Sequence, residues 1–517
     1  MNIKNSKGIT LVALVVTIVV LLILAGVSIN LVLGENGLIT QAQEAKRKTL
    51  LAEEKDNKDF YNIDEFVYDN TSNINVEKVT DTNPGVLEKE NDNIYVINSI
   101  EDLVAFAYDV RNGNSYAGKT VKLGLDLDFK STNSYVDANR SDYKEYGYDG
   151  NLKKLLTSGE GFLPIGTFNE DEAETKSFAG IFDGNNHTIS NCYMYKNTEE
   201  RHRISFFGQK LYGEVKNLGL VNINFELINK DVSCSVSGIS TKPVNGAKIS
   251  NCYVSGNIKE ISNGTGNASC SGIATYNQGT IENCYNWANI EVYINDDTLT
   301  AQGLMGGITV NQEGNKVINC FNYGNLYANG KGDRFEIGGI SRNLVQVNSS
   351  IENSYNRGNI SAEISNSNII SIGGILAYTY LNNLQLNNLY SNGKMNIKGN
   401  TNRLYVGGIV GYDTNGKVSL KNSYSISEII DETTSDNKNI GNIYGRINAS
   451  NTTIANCYYL DQNNYYGIGS EQSDTNIIKI QPSQKQELLT KLNEAENGIW
   501  KKDEKNVNKG YPILIWQ

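Results

Sequence analysis

The sequence predicts a mostly β fold: a parallel β-solenoid (β-helix) of about 34-residue repeats with a helical N-cap, preceded by a long N-terminal membrane helix. Three observations carry this reading. An Asn-x-aromatic phrase recurs at Asn251, Asn283, Asn319, Asn353, Asn388, Asn422 and Asn456, in steps of 32, 36, 34, 35, 34 and 34 residues. A Gly-Ile pair precedes the first six of these phrases, at Gly238, Gly272, Gly307, Gly339, Gly374 and Gly408. A fixed period in this range marks a solenoid, propeller or array. The composition agrees, with 49 Gly, 5 Pro and 31 Tyr among 517 residues. Asn and Gly suit turns that visit positive φ, and Tyr, Ile and Val suit strands.

A chain of this length exceeds one ordinary compact core, but stacked repeats each need only their neighbours. The formal charge of −11 and the lack of a basic stripe exclude a general nucleic-acid partner. Seven cysteines are present, with no CxxC or Cys/His spacing, so neither a zinc site nor any other metal or cofactor is expected. With two histidines and no His-Glu-x-x-His, there is little material for a catalytic triad or a zinc peptidase, and no catalytic residue is assigned.

In chain order, Ile9 to Leu33 is a 25-residue run without a charge, behind Lys4 and Lys7. About 20 apolar residues suffice to span a bilayer. The short basic tail favours staying inside, which places the long remainder outside the cell. Lys7-Gly8-Ile9-Thr10-Leu11, running into the apolar stretch, resembles the prepilin leader of type IV pilins and pseudopilins. The resemblance implies cleavage by a prepilin peptidase after Gly8, methylation of the new N-terminus at Ile9, and retention of the membrane helix. Ala13 stands where major pilins carry Glu at mature position five, which weakens the case for filament assembly. The expected division is a leader at 1–8, a membrane and stalk helix at 9–58, and a linker at 59–93.

Residues 94–177 read as cap and lead-in to the solenoid. Ser99, with Asp102 three residues on, starts a helix carrying Leu103, Phe106, Ala107 and Val110 at helical spacing, and Gly113 stops it. Its apolar face is expected over the open end of the first rung, where it would remove an aggregation hazard. Thr120 to Phe129 alternates Val121, Leu123, Leu125, Leu127 and Phe129 as one half-buried strand, with Asp126 and Asp128 on its solvated face. Asp183-Gly184 is a turn signal leading to Asn191-Cys192-Tyr193, counted as an eighth copy of the phrase.

The repeats proper span 178–470. Cys192, Cys252, Cys284, Cys320 and Cys457 share one slot, filled elsewhere by Ser354, Leu389 and Ser423. Such a slot wants a small, mostly apolar side chain in a packed column. Cys284, Ala288, Ile290, Val292 and Ile294 share parity and should face the interior, whereas Ile281 does not, so the backbone must bend near Glu282-Asn283. Two or three strands per turn result. Position five of the phrase holds Gly256, Ala288, Gly324, Gly358, Gly393 and Ser427, a pattern that reads as close packing. The aromatics Tyr193, Tyr253, Tyr285, Phe321, Tyr355, Tyr390, Tyr424 and Tyr458 should stack as a ladder, about 4.8 Å per rung, near a corner.

These phrases resemble the GLUG repeat of bacterial cell-surface proteins, seen in Gly407-Gly408-Ile409-Val410-Gly411 followed by Leu420-x-Asn422-Ser423-Tyr424. Phe162-Leu163-Pro164-Ile165-Gly166 through Asp183-Gly184 is similar to the usual start of such arrays. The resemblance covers about 94–517 and implies architecture rather than activity. Residues 471–517 read as a C-terminal cap: a helix over Ser483 to Ala495, then Trp500 and Tyr511 to Trp516 closing the last rung. The expected protein is a non-enzymatic, membrane-tethered extracellular solenoid that acts by binding, as a surface adhesin or minor pilin-like subunit. Its expected partners are the membrane, the prepilin peptidase, pilin-like subunits, and a glycan or surface-protein ligand held by loops between phrases. The alternatives are a polysaccharide-acting β-helix enzyme and a purely structural stalk.

Overall fold

The computed structural model describes residues 87–129 and 161–517, apart from positions 315, 348, 381–382, 415–417, 448–451, 461 and 463. The leader and membrane-helix expectations, with Gly8 and Ile9, lie outside the described residues. Among the described residues no helix is long and apolar enough to cross a membrane.

The described chain is mostly β and winds as a parallel β-solenoid of about eight turns. A full turn contributes three strands. Ser350–Asn356, Ile360–Gly373 and Leu376–Thr379 are followed one turn later by Leu384–Ser391, Met395–Gly407 and Val410–Asp413, each pair in parallel register. In six successive turns the third strand belongs to a separate six-stranded sheet, from Ala274–Asn277 to Tyr444–Ile447.

The bend that parity requires occurs at the anchor Asn itself. Asn251, Asn283, Asn319, Asn353, Asn388, Asn422 and Asn456 all have φ between +48° and +58°. Asn enters this left-handed region more readily than other residues with a side chain. One such residue per turn flips the strand's parity, so Ile281 and Cys284 both reach the core. The anchor amides bond from rung to rung: Asn283 Nδ2 donates to Asn251 Oδ1 (3.1 Å), Asn319 to Asn283 (3.0 Å) and Asn422 to Asn388 (2.6 Å).

A second amide column lies inside. Asn286, Asn322 and Asn356 are fully buried and share parity with the core residues. Asn286 Nδ2 donates to Asn322 Oδ1 (2.7 Å), and Asn322 Nδ2 to Asn356 Oδ1 (2.8 Å). Each amide also bonds the carbonyl two residues on. The Gly of the Gly-Ile pair packs on this column. A Cβ at Gly307 would fall 2.1 Å from the Gly339 carbonyl oxygen and 2.6 Å from Asn322 Cγ. Position five behaves similarly: at Gly324, whose φ is not left-handed, a Cβ would fall 1.9 Å from Ala288 O.

Helix α1 (Ile100–Arg111) is capped by Ser99, whose side chain accepts from Asp102 N–H, while Asp102 Oδ2 accepts from Asn98 N–H at 2.9 Å. Its buried Phe106 packs against Tyr116, Phe178 and Phe182 at the start of the solenoid. Two lead-in expectations need correction. The stretch 120–129 is two short strands, Thr120–Leu123 and Leu127–Asp128, and Leu125 is 43% exposed. The break falls at Gly124, where a Cβ would meet Asn98 Oδ1 at 2.0 Å. The end of the expected linker is ordered as well: Glu88–Asn91 pairs antiparallel with Ile94–Ile97.

Candidate functional site

The cysteines that share the phrase's slot are all buried free thiols, in column with Ser354, Leu389 and Ser423. Burial pushes the Cys320 and Cys457 thiols up to about 12, which keeps them protonated and inert. Cys192 and Tyr193 belong elsewhere. Tyr193 pairs with Asn224, and Ile223 with Gly256, so Asn191-Cys192-Tyr193 lines up with Asn222-Ile223-Asn224, five residues beyond the anchor column. The rung neighbour of Asn251-Cys252-Tyr253 is Asn217-Leu218-Gly219. The aromatic column therefore ends at Tyr253, whose ring lies over Gly219; a Cβ there would be 2.4 Å from the ring.

From Tyr285 to Tyr424 the rings stack. Centroid separations are 4.2 Å to Phe321, 5.0 Å to Tyr355, 4.6 Å to Tyr390 and 5.3 Å to Tyr424. The column forms a cluster of its own, distinct from the main core, and the C-terminal residues cover it. Ile477–Ile480 continues the last rung, parallel to Thr453–Leu460. Beyond it, α2 (Lys485–Ala495) and the antiparallel pair Trp500–Lys501 with Ile513–Leu514 fold back along the ladder. The segment is thus a lateral strap rather than an end cap. Trp500 contacts Tyr390 and Tyr424, and Trp516 contacts Tyr285, Phe321 and Tyr355. Tyr390, Tyr424 and Tyr458 are 0–2% exposed, so most of the ladder is closed to a ligand.

The six-stranded sheet offers a different surface. Tyr276, Asn311, Asn343, Tyr378, Tyr412 and Arg446 form one register column across it. In its middle lies an open depression of about 430 Å³, within the usual range of ligand sites (about 300–1,000 Å³). Arg342, Asn311, Asn343, Glu313, Tyr378 and Tyr380 are among the residues lining it. The Arg342 guanidinium is held from three sides. It pairs with the buried Glu336 carboxylate, donates to Asn311 Oδ1 at 3.0 Å, and lies 5.6 Å from the Tyr378 ring centroid. Tyr380 stands beside Tyr378 at 5.9 Å and is 42% exposed. Asn343 is 1% exposed, yet its Oδ1 has no hydrogen-bond partner among the described residues; the same holds for Arg342 Nε.

No sequence feature points here, because Asn311, Arg342, Asn343 and Tyr378 come from four-residue strands outside the repeated phrase. Glu313, Val345, Gln346 and Tyr380 lie just past those strands, in the loops that follow them. A second depression, about 320 Å³, lies between strap and solenoid beside Asn422 and Asn456, but those amides are committed to the anchor ladder. The lead-in carboxylates are engaged locally: Asp126 accepts from Thr188 N–H (2.8 Å) and Asp128 from Asn191 Nδ2 (2.6 Å). Among the described residues no cluster of three or more His, Cys, Asp or Glu could hold a metal.

No family model and no curated protein matches the chain. One solved structure that it resembles is a Bacteroides ovatus protein provisionally named an immunoglobulin A1 protease, at 18% identity and a TM-score of 0.38, covering 82% of this chain and 92% of that one. At that score the likeness carries no argument about function.

Proposed function

We propose that this chain is a membrane-tethered solenoid displayed outside the cell that acts by binding, as a surface adhesin or minor pilin-like subunit. The observation that carries the reading is the depression at Tyr378 and Tyr380. There, two aromatic rings, one of them exposed, stand beside the polar side chains of Asn311, Glu313 and Arg342. Ligand sites combine such apolar faces with a few fixed polar groups. The tether rests on the apolar run at 9–33 and the Gly8/Ile9 junction.

The test is retention of the labelled, purified full chain on bacterial and host cell surfaces, with the medium assayed for released reducing ends. Retention without release is the expected result. Release of sugar ends would favour the polysaccharide-acting enzyme instead, and neither retention nor release would leave a structural stalk. For the tether, mass spectrometry in cells carrying a prepilin peptidase should find an N-methylated Ile9. An intact Met1 would remove the pilin-like part of the proposal.

A further inference from the structure

We infer that an oxyanion subsite lies at Arg403, Arg446 and Tyr412, beside the depression, so that the ligand bears a carboxylate, sulfate or phosphate group; this rests on the binding reading above.

The backbone brings the three side chains to one surface. Arg403 and Tyr405 are two residues apart on Met395–Gly407 and so face the same side of that strand. The Tyr405 ring stacks on Tyr412 at 4.2 Å, which joins that strand to the six-stranded sheet. Arg446 is the rung neighbour of Tyr412, and its guanidinium carbon lies 5.6 Å from the Tyr405 ring centroid and 5.7 Å from that of Tyr412. Burial first and the Tyr405 hydroxyl second raise the Tyr412 hydroxyl above its ordinary range, while Arg446 and Arg403 both draw it down. Both cations are therefore within electrostatic reach of that hydroxyl. A ligand can reach them too, since Arg403 is exposed and Arg446 and Tyr412 are half-buried.

The missing counter-charge selects the ligand. Arg201, Arg203, Arg334 and Arg342 each pair with a carboxylate. Arg403 and Arg446 pair with none among the described residues, although the chain carries a net charge of −11. Asp413 is buried and accepts from Thr452, and Asp431 pairs with Lys438. Positions 415–417 and 448–451, which follow these strands in the chain, contain no Asp or Glu. Arg446 donates to the Tyr405 hydroxyl at 3.4 Å, which leaves most of its N–H groups open. The rings orient its fork, and an oxyanion, which only accepts, matches two such donors and a phenol. Tyr378 is the next rung neighbour of Tyr412, 5.8 Å away, and continues the surface into the depression. Glu313, just past the strand of Asn311, is four strand spacings from Arg446, or roughly 19 Å, beyond a screening length of about 8 Å.

The experiment is calorimetric titration of the full chain with sodium sulfate, sodium phosphate, an oligogalacturonate and a sulfated oligosaccharide, with a neutral cello-oligosaccharide as control. The inference expects at least one anionic probe to bind, more weakly as salt rises from roughly 0.05 to 0.5 M. Which probes bind names the source of the oxyanion. Arg403→Gln, at an exposed position, and Arg446→Gln should each weaken that binding by about tenfold or more, the weight of a lost charge-assisted hydrogen bond. Arg201→Gln makes the same change in net charge at a carboxylate-paired site and should leave the affinity within about twofold. No binding of any anionic probe overturns the inference. Binding indifferent to Arg403→Gln and Arg446→Gln, or weakened equally by Arg201→Gln, also overturns it. If the anionic probes fail but cell-surface retention persists and needs Tyr380, the oxyanion subsite falls and the binding function stands. If retention is absent too, both fall.

Discussion

The indole N–H of Trp516 donates to the backbone carbonyl of Asn353 at 3.2 Å, joining residues 163 positions apart. That bond fastens the end of the described chain to a corner several turns before the last rung. Gln517 hydrogen-bonds the Tyr390 hydroxyl, and Asn508 Nδ2 donates to the Tyr424 hydroxyl at 2.6 Å. The ladder hydroxyls thus pair with the strap while the rings pack beneath it.

The strap should therefore contribute stability to many rungs at once. Trp500 is 3% exposed over the rings of Tyr390 and Tyr424. Trp500→Ala is expected to cost about 3–5 kcal/mol in chemical denaturation, as large aromatic truncations do. Limited proteolysis should cut within 471–517 before the β signal is lost. Unchanged cleavage there would show that the strap does not depend on the ladder.

The corner Asn makes two separable contributions. Asn319 holds φ at +53° and donates to Asn283 Oδ1 at 3.0 Å. Asn319→Ala loses both, about 1–2 kcal/mol for the left-handed backbone alone. Asn319→Gly loses only the amide bond and should be the milder change. Equal losses in urea titrations would mean that the backbone conformation is not what selects Asn.

Glu260 gives the fold a pH dependence. It occupies a core column between Leu227 and Val292 and is fully buried, with Asn229 Nδ2 2.9 Å from Oε1 and Ser269 N–H donating to Oε2 at 2.9 Å. Burial, opposed by those bonds, pushes its carboxyl up to about 8. The native state thus holds a proton that the unfolded chain releases near 4.5. Its contribution is complete below that value and is lost as pH rises through about 8. The unfolding free energy from urea titrations should fall between pH 5 and 8.5, by a few kcal/mol at most, scaling at about 1.4 kcal/mol per pH unit. Glu260→Gln should flatten that slope; a wild-type midpoint flat over this range would refute the buried neutral acid.

How much of this was legible in the sequence depends on the range of the interaction. The rung period, the bend near Asn283 and the α1 cap are local patterns, and each reappears where the spacing placed it. Asn286 does not read as a core residue in the sequence, because a polar amide looks misplaced there; only the neighbouring rung reveals its partner. Cys192 and Tyr193 copy the phrase but not its register, since Gly219 holds the equivalent place without a side chain. The strap's course follows from contacts such as Trp516 with Asn353, which no spacing encodes. The Arg342 depression joins side chains from successive turns, so no single stretch displays it.

The ladder's end at Tyr253 and the ring pair at Tyr378 and Tyr380 are both at least partly open, and only the second is assigned to the ligand. The most direct test is cell-surface retention of the full chain carrying Tyr380→Ala compared with Tyr253→Ala. Retention should be lost, by about tenfold or more, in Tyr380→Ala and kept in Tyr253→Ala, in line with the weight a central aromatic carries in recognition. Retention that survives Tyr380→Ala and disappears with Tyr253→Ala would move the binding site to the ladder and contradict the assignment.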